Sequence, residues 1–162
     1  MIDVTITPTP PAPIYALEIW GNAKAVATRF AKANGFALPP MGKSGGDESL
    51  TLICFEPTVW LAEGDVEGLA DILGEDGALT AIGGGLVRVV ITGSGWRRLL
   101  MEGGVFDAEH PAFAPGCSAA TIIDHVNVRL HVSGESKCTA YVPASYVADM
   151  IDFWKTAAAG PY

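Results

Sequence analysis

The stretch VRVVITGSGWRRLLMEGG, from Val87 to Gly104, has the pattern of a strand, a glycine turn and a short helix. Apolar residues recur at every second position before the turn, which places them on one face of a strand. Ser94 is positioned to cap a helix, and Gly103-Gly104 can end it. A strand, a glycine turn and a helix start are also the layout of a phosphate-binding loop, so the stretch raises the question of a nucleotide site.

The glycine turn, Thr92 to Gly95, departs from the known nucleotide-binding patterns. A dinucleotide loop needs three small residues, the third for close packing of the helix on the strand. Gly93 and Gly95 match the first two, but Arg98 occupies the third position, and no Gly-Lys-Ser/Thr follows as a P-loop requires. We therefore interpret the glycines as a structural turn. The alternative is an anion or carboxylate at the helix N-terminus, assisted by Arg97 or Arg98.

Helix and strand patterns divide the chain into two series that meet near Gly83 to Gly85. Residues 14–84 read βαββαβ, the element order of a ferredoxin-like plait. Residues 85–162 read βαβββα, and the last helix carries apolar residues at i, i+3, i+4 and i+7 from Val147. Residues 1–13 are rich in proline, and we expect a flexible, extended arm there. The sequence thus predicts an α+β protein of two small α/β plaits, with helices packed on antiparallel sheets.

The composition of the 162-residue chain narrows the class of protein. Charged residues are 17% of the chain, against about 25% in typical soluble domains, so we expect a partner to cover part of the surface. A net charge of −8 argues against binding to nucleic acid or to an anionic membrane. Three separate cysteines without a Cys-x-x-Cys pair, and an N-terminus without a signal-peptide pattern, predict a cytoplasmic protein.

Few residues of the sequence indicate a catalytic or metal-binding site. His110, His125 and His131 form no metal-binding motif, and no nucleophile elbow or Ser–His–Asp spacing is present, so we predict neither a metal site nor a catalytic residue. His131 shares the polar face of a predicted strand with Arg129, and we expect that face to be solvated or covered by a partner. The candidate contact residues for a partner or an anion are Gly93, Ser94, Gly95, Trp96, Arg97, Arg98, Arg129 and His131.

Four segments resemble one protein family in their order and spacing. They are EPTVWL at Glu56–Leu61, GLVRVVITGSGWRRLL at Gly85–Leu100, FDAEHPAFAPG at Phe106–Gly116 and YVPASYVADMIDFW at Tyr141–Trp154. Together they resemble the gamma subunit of heterotetrameric sarcosine oxidase, a relative of the folate-binding domain of the glycine-cleavage T-protein. The resemblance extends over residues 14–158, with Gly95 standing where the family usually has proline.

The resemblance implies two α/β plaits and an assembly role, with no catalytic residue in this chain. In such complexes the large subunits carry FAD, FMN, NAD and tetrahydrofolate, and a small subunit carries zinc, so no cofactor is expected here. The implied partners are the alpha, beta and delta subunits of a sarcosine oxidase-like complex that oxidises an N-methyl amine. Two alternatives stay open: a free-standing folate-binding or one-carbon-transfer protein of the T-protein type, and a module that binds a small carboxylate at Gly93–Arg98.

Overall fold

The computed structural model describes residues 1–160. In chain order its elements are β1 (Thr5–Pro8), β2 (Ile14–Ile19), α1 (Ala23–Asn34), β3 (Ser44–Gly46), β4 (Leu50–Glu56), β5 (Val59–Gly64), α2 (Leu69–Leu73), β6 (Gly77–Ala81), β7 (Leu86–Thr92), α3 (Trp96–Met101), β8 (Ser118–Ile123), β9 (Val126–Gly134), β10 (Lys137–Pro143) and α4 (Val147–Ala159). Short 3-10 turns follow α2 and precede α4. The predicted α+β class is confirmed, because the described residues form two five-stranded antiparallel sheets and four α-helices.

The chain divides into two compact units. The first unit is Ala12–Gly83, and the second combines Met1–Pro11 with the chain from Gly84 onward. Within the described residues, no helix has both the length and the hydropathy needed to cross a bilayer.

The first unit has the strand order β3-β4-β5-β2-β6. Without the short edge strand β3, this is the sheet of a ferredoxin-like plait, with α1 and α2 in the predicted places. α1 packs Val26 and Phe30 into the core and ends at Gly35, whose φ of 78° suits a residue without a Cβ. Asn22, a residue type that often caps helices, precedes α1 but makes no side-chain cap.

α2 begins only at Leu69, although Asp65 is a residue type that caps helices. The Asp65 carboxylate accepts the N–H of Glu67 at 3.0 Å instead. The acidic side chain therefore closes a turn before the helix, while Gly68 with a φ of 80° sits at the helix start.

The second unit has the strand order β1-β7-β10-β9-β8. β7 is an interior strand, because it pairs with β10 from Leu86↔Pro143 to Thr92↔Lys137 and with β1 on its other edge. The apolar residues at alternate positions of β7 and β9 face a core that includes Trp96 and Trp154 from α3 and α4. The predicted βαβββα order is therefore present, with one further strand at the N-terminus.

The structure of the N-terminal segment differs from the sequence prediction. Residues 1–13 were expected to form a poorly ordered arm, but Thr5–Pro8 is a strand paired antiparallel with β7, from Thr5↔Thr92 to Pro8↔Val89. Ile2 is 8% exposed, and its N–H donates to the carbonyl of Ala158 at 2.7 Å. The physical reason is that Ile2, Val4 and Ile6 alternate as a strand does and pack on the core of the second unit. The prolines begin only at Pro8, so they end the strand without preventing it.

Candidate functional site

The glycine turn between β7 and α3 is shaped by the N-terminal segment. Gly93 has a φ of 116°, which side chains rarely adopt, and a Cβ there would lie 2.5 Å from the carbonyl oxygen of Asp3. A Cβ on Gly95 would collide with Cγ2 of Ile2. Both glycines are therefore needed for the close approach of residues 2–4 to the turn.

Three polar groups of this turn already have partners inside the chain. The N–H of Gly95 donates to the carbonyl of Asp3 at 3.0 Å, and the N–H of Gly93 donates to the carbonyl of Ser136 at 3.2 Å. The Ser94 hydroxyl donates to the carboxylate of Asp3 at 2.7 Å, so it does not cap α3 as the sequence suggested. Asp3 also adds a negative charge where an anion would have to bind, and α3 has only six residues.

Arg97 holds a loop against α3. Its Nη1 donates to the carbonyls of Ala108 and Phe113, at 2.6 and 2.7 Å, and its guanidinium carbon lies 4.3 Å from the centre of the Trp96 ring. The half-buried cation thus satisfies two carbonyls of the irregular segment Phe106–Gly116. Nη1 of Arg97 therefore donates to two backbone carbonyls, and this role is structural.

Trp96 connects α3 to the turn between β9 and β10. The side chain is 1% exposed, and its Nε1 donates to the carbonyl of Glu135 at 3.0 Å. Its ring contacts Phe113, and Phe113 meets Phe106 edge to face at 4.8 Å between ring centres. In contrast, Arg98 on the same helix is exposed.

Arg129 and His131 lie on the sheet face opposite to α3. Both are on β9, where the alternate residues Val128, Leu130 and Val132 face the core with α3. In register, Arg129 lies between Tyr141 and Ala120, and His131 lies between Thr139 and Ser118. Both side chains are half-buried, so this face is not freely solvated. The structure therefore brings Gly93 to Arg97 together at one turn and places Arg129 and His131 elsewhere.

Cys54 and Cys138 are poor nucleophiles. Burial raises the pKa of the Cys138 thiol to about 12, an effect that the backbone N–H of His131 and the charge of Arg97 offset only in part. Burial also raises the pKa of Cys54. A neutral buried thiol is unreactive. Among residues 1–160, no three His, Cys, Asp or Glu side chains are grouped as metal ligands.

Sequence reasoning missed the residues that fill the glycine turn. Ile2 and Asp3 lie about 90 positions before the turn they contact, as the separation of 91 between Asp3 and Ser94 shows. The alternation of Ile2, Val4 and Ile6 was the available signal for a strand in this segment. Nothing local to Gly93 indicates which segment covers it.

Comparison with proteins of known structure identifies the fold of the chain. No protein-family model and no curated protein matches it. A chain of heterotetrameric sarcosine oxidase from Corynebacterium sp. U-96, solved in complex with pyrrole 2-carboxylate, is similar in structure with a TM-score of 0.79 and 20% identity, over 98% of this chain and 87% of that chain. The glycine cleavage system aminomethyltransferase T from Bartonella henselae is similar with a TM-score of 0.67 and 14% identity, over 94% of this chain and 45% of that chain. The chain therefore has the fold found in a heterotetrameric sarcosine oxidase and in the T-protein, and the resemblance read from the sequence is confirmed at the level of fold.

Proposed function

We propose that this protein is a non-catalytic subunit, of the gamma type, in a flavoenzyme complex similar to heterotetrameric sarcosine oxidase. The observation that carries the proposal is the extent of the structural match. It covers 98% of this chain and 87% of a chain from an enzyme that is itself a heterotetramer. A whole subunit of similar length, and not a fragment of a large one, is therefore the counterpart of this protein.

The local chemistry supports an assembly role. The turn that most resembles a ligand loop donates its Gly93 and Gly95 N–H groups to the chain itself, and Arg97 donates to two loop carbonyls. These N–H groups stabilise the fold, because each donates to a carbonyl of the chain itself. In the proposed complex the partner subunits hold FAD, FMN, NAD, tetrahydrofolate and zinc, the substrate is an N-methyl amine such as sarcosine, and the location is cytoplasmic.

Copurification tests this function. The chain should carry its affinity tag at the C-terminus, because Ile2 is buried at the other end. Coexpressed with flavin-binding chains encoded beside its gene, it should elute with them at a fixed ratio and with flavin absorbance. Omitting this chain should lower the yield of assembled oxidase. An isolated monomer that oxidises an amine unaided, or flavoprotein chains that assemble fully without it, would contradict the proposal.

The second candidate is a free-standing folate-binding or one-carbon-transfer protein. The similarity to aminomethyltransferase T favours it, since 94% of this chain aligns with that protein. However, the aligned part is only 45% of that chain, so this protein corresponds to part of an aminomethyltransferase. Titration of the isolated chain with tetrahydrofolate, followed by calorimetry, separates the two functions. Saturable binding supports the second candidate, and its absence eliminates it.

A further inference from the structure

Trp20 is unusual because a large apolar side chain is both exposed and held in place. It exposes 62% of its surface, although tryptophan is mostly buried in folded proteins. Its indole Nε1 donates to the carbonyl of Glu75 at 3.0 Å. The one polar atom of the ring is thus satisfied within the chain, and what the side chain presents to its surroundings is apolar.

The segment that carries Trp20 is fixed by Asp76. The carbonyl of Asp76 accepts the N–H groups of Trp20 and Gly21, at 2.9 and 3.1 Å. The Asp76 carboxylate accepts Nδ2 of Asn22 at 2.8 Å and pairs with Arg29 at 3.3 Å. Asn22 lies in the left-handed region with a φ of 45°, a conformation that asparagine adopts more readily than most residues with a side chain. A side chain fixed in this way loses little conformational entropy when a partner covers it.

The charges around the exposed indole are acidic. Glu18 is exposed two residues before Trp20, and Glu75, whose carbonyl holds the indole, is also exposed. The negative charge of Asp76 is offset by Arg29. Lys24 is exposed four residues after Trp20, so Glu18, Glu75 and Lys24 together leave one net negative charge around the apolar centre.

We propose that Trp20 is the anchor by which this chain docks on another protein, and that the complementary surface is an apolar cleft bordered by lysine or arginine side chains. Tryptophan is the residue type most enriched at the energetic centres of interfaces, and opposite charges at the rim steer association. The acidic rim disfavours a second copy of this chain, since a two-fold contact would bring Glu18 and Glu75 of both copies together. That the partner is a flavin-binding subunit rests on the proposed function.

Photo-crosslinking of the full chain in its own host identifies what covers Trp20. Glu18 is replaced by p-benzoylphenylalanine, and exposed Lys32 on α1 is the matched control position. The proposal expects a crosslink from position 18, but not from position 32, to a lysine- or arginine-rich surface of another protein. If that protein binds flavin, both proposals gain, and if it does not, the anchor stands while the proposed function falls. No crosslink above the level at position 32, or a crosslink between two copies, overturns the anchor.

Affinity for the crosslinked partner then measures the contribution of the indole. Trp20→Ala should raise the Kd about 30-fold, and Trp20→Phe, which keeps an aromatic ring, should raise it less. Tyr146→Ala is the control for the loss of another exposed aromatic side chain, because Tyr146 is 44% exposed; its Kd should stay within about twofold. Melting curves verify that each variant folds. A Trp20→Ala variant that folds and binds as tightly as the parent refutes the anchor.

Discussion

Arg97→Ala tests the structural role assigned to the glycine turn and its helix. The substitution removes two hydrogen bonds of 2.6 and 2.7 Å from one cation, and a stacking contact on Trp96. A hydrogen bond to a charged group contributes about 1.5–3 kcal/mol, but water can reach part of this half-buried side chain and replace some of that contribution. We therefore expect a loss of about 2–3 kcal/mol in the free energy of unfolding, less than two full bonds would give.

Urea and thermal unfolding measure this loss. For a chain of this size a loss of 2–3 kcal/mol lowers the Tm by about 4–12 °C. Arg97→Lys keeps the charge but not the planar fork, and should fall between the parent and the alanine variant. Arg98→Ala is the matched control, because Arg98 is exposed on the same helix, and its effect should stay within about 0.5 kcal/mol.

An Arg97→Ala variant that is as stable as the parent would contradict the structural role of Arg97. If Arg97→Ala unfolds like the parent, Arg97 does not hold the loop Phe106–Gly116. If the parent also binds a small carboxylate such as acetate, and Arg97→Ala and Arg98→Ala abolish that binding without loss of stability, the carboxylate-binding alternative replaces the structural one. The structural and the carboxylate-binding roles of Arg97 therefore predict different stability and different ligand binding for these variants.

Three further changes test neighbouring parts of the second unit. Gly93→Ala should lower the free energy of unfolding, measured in urea, by about 2–4 kcal/mol, because φ is 116° and the new Cβ would lie 2.5 Å from the Asp3 carbonyl oxygen. Gly68→Ala is the control, because no atom lies within 4 Å of its Cβ, and it should lose only the smaller free energy that comes from its positive φ. Deleting Ile2–Val4 should cost about 2–3 kcal/mol by the same assay, whereas loss of a disordered arm would cost nothing. Burial raises the pKa of Cys138 from 9.0 to about 12, which favours the neutral thiol in the folded state. The contribution of this thiol to the free energy of unfolding is complete below pH 9 and is lost as the pH rises to 12. The free energy of unfolding should therefore fall less steeply over that range in Cys138→Ala, and parallel pH profiles would contradict this.

Sequence periodicity was sufficient for the elements whose own residues determine them. The last helix shows this, since Met150 and Trp154, four positions apart on the predicted apolar face, are both buried. The alternation in β7 likewise predicts the core positions Val89 and Ile91, which are both 0% exposed. Such patterns report burial on one face, and burial is what fixes these elements.

The capping residues were not predictable from their neighbourhood. Asn22 and Ser94 both stand where a helix cap would stand, yet Asn22 bonds Asp76, 54 positions away, and Ser94 bonds Asp3, 91 positions away. Each side chain has a local and a distant option, and the distant carboxylate, which local propensity cannot foresee, accepts the hydrogen bond. The same limit applies to Trp20, because its exposure depends on how the turn at Glu75 receives its indole N–H.

The shared fold does not choose between an assembly subunit and a folate protein, because both comparison proteins have it. The choice depends on how the polar groups are used. A small ligand requires several polar groups that converge on it. At the glycine turn the N–H groups of Gly93 and Gly95 donate to Ser136 and Asp3, and Nη1 of Arg97 donates to the loop that it holds. A protein partner requires a fixed, exposed apolar side chain with complementary charge around it, and Trp20 with Glu18 and Glu75 meets that requirement. The distribution of satisfied and exposed groups is therefore the basis on which we propose a protein surface, and not a small molecule, as the ligand of this chain.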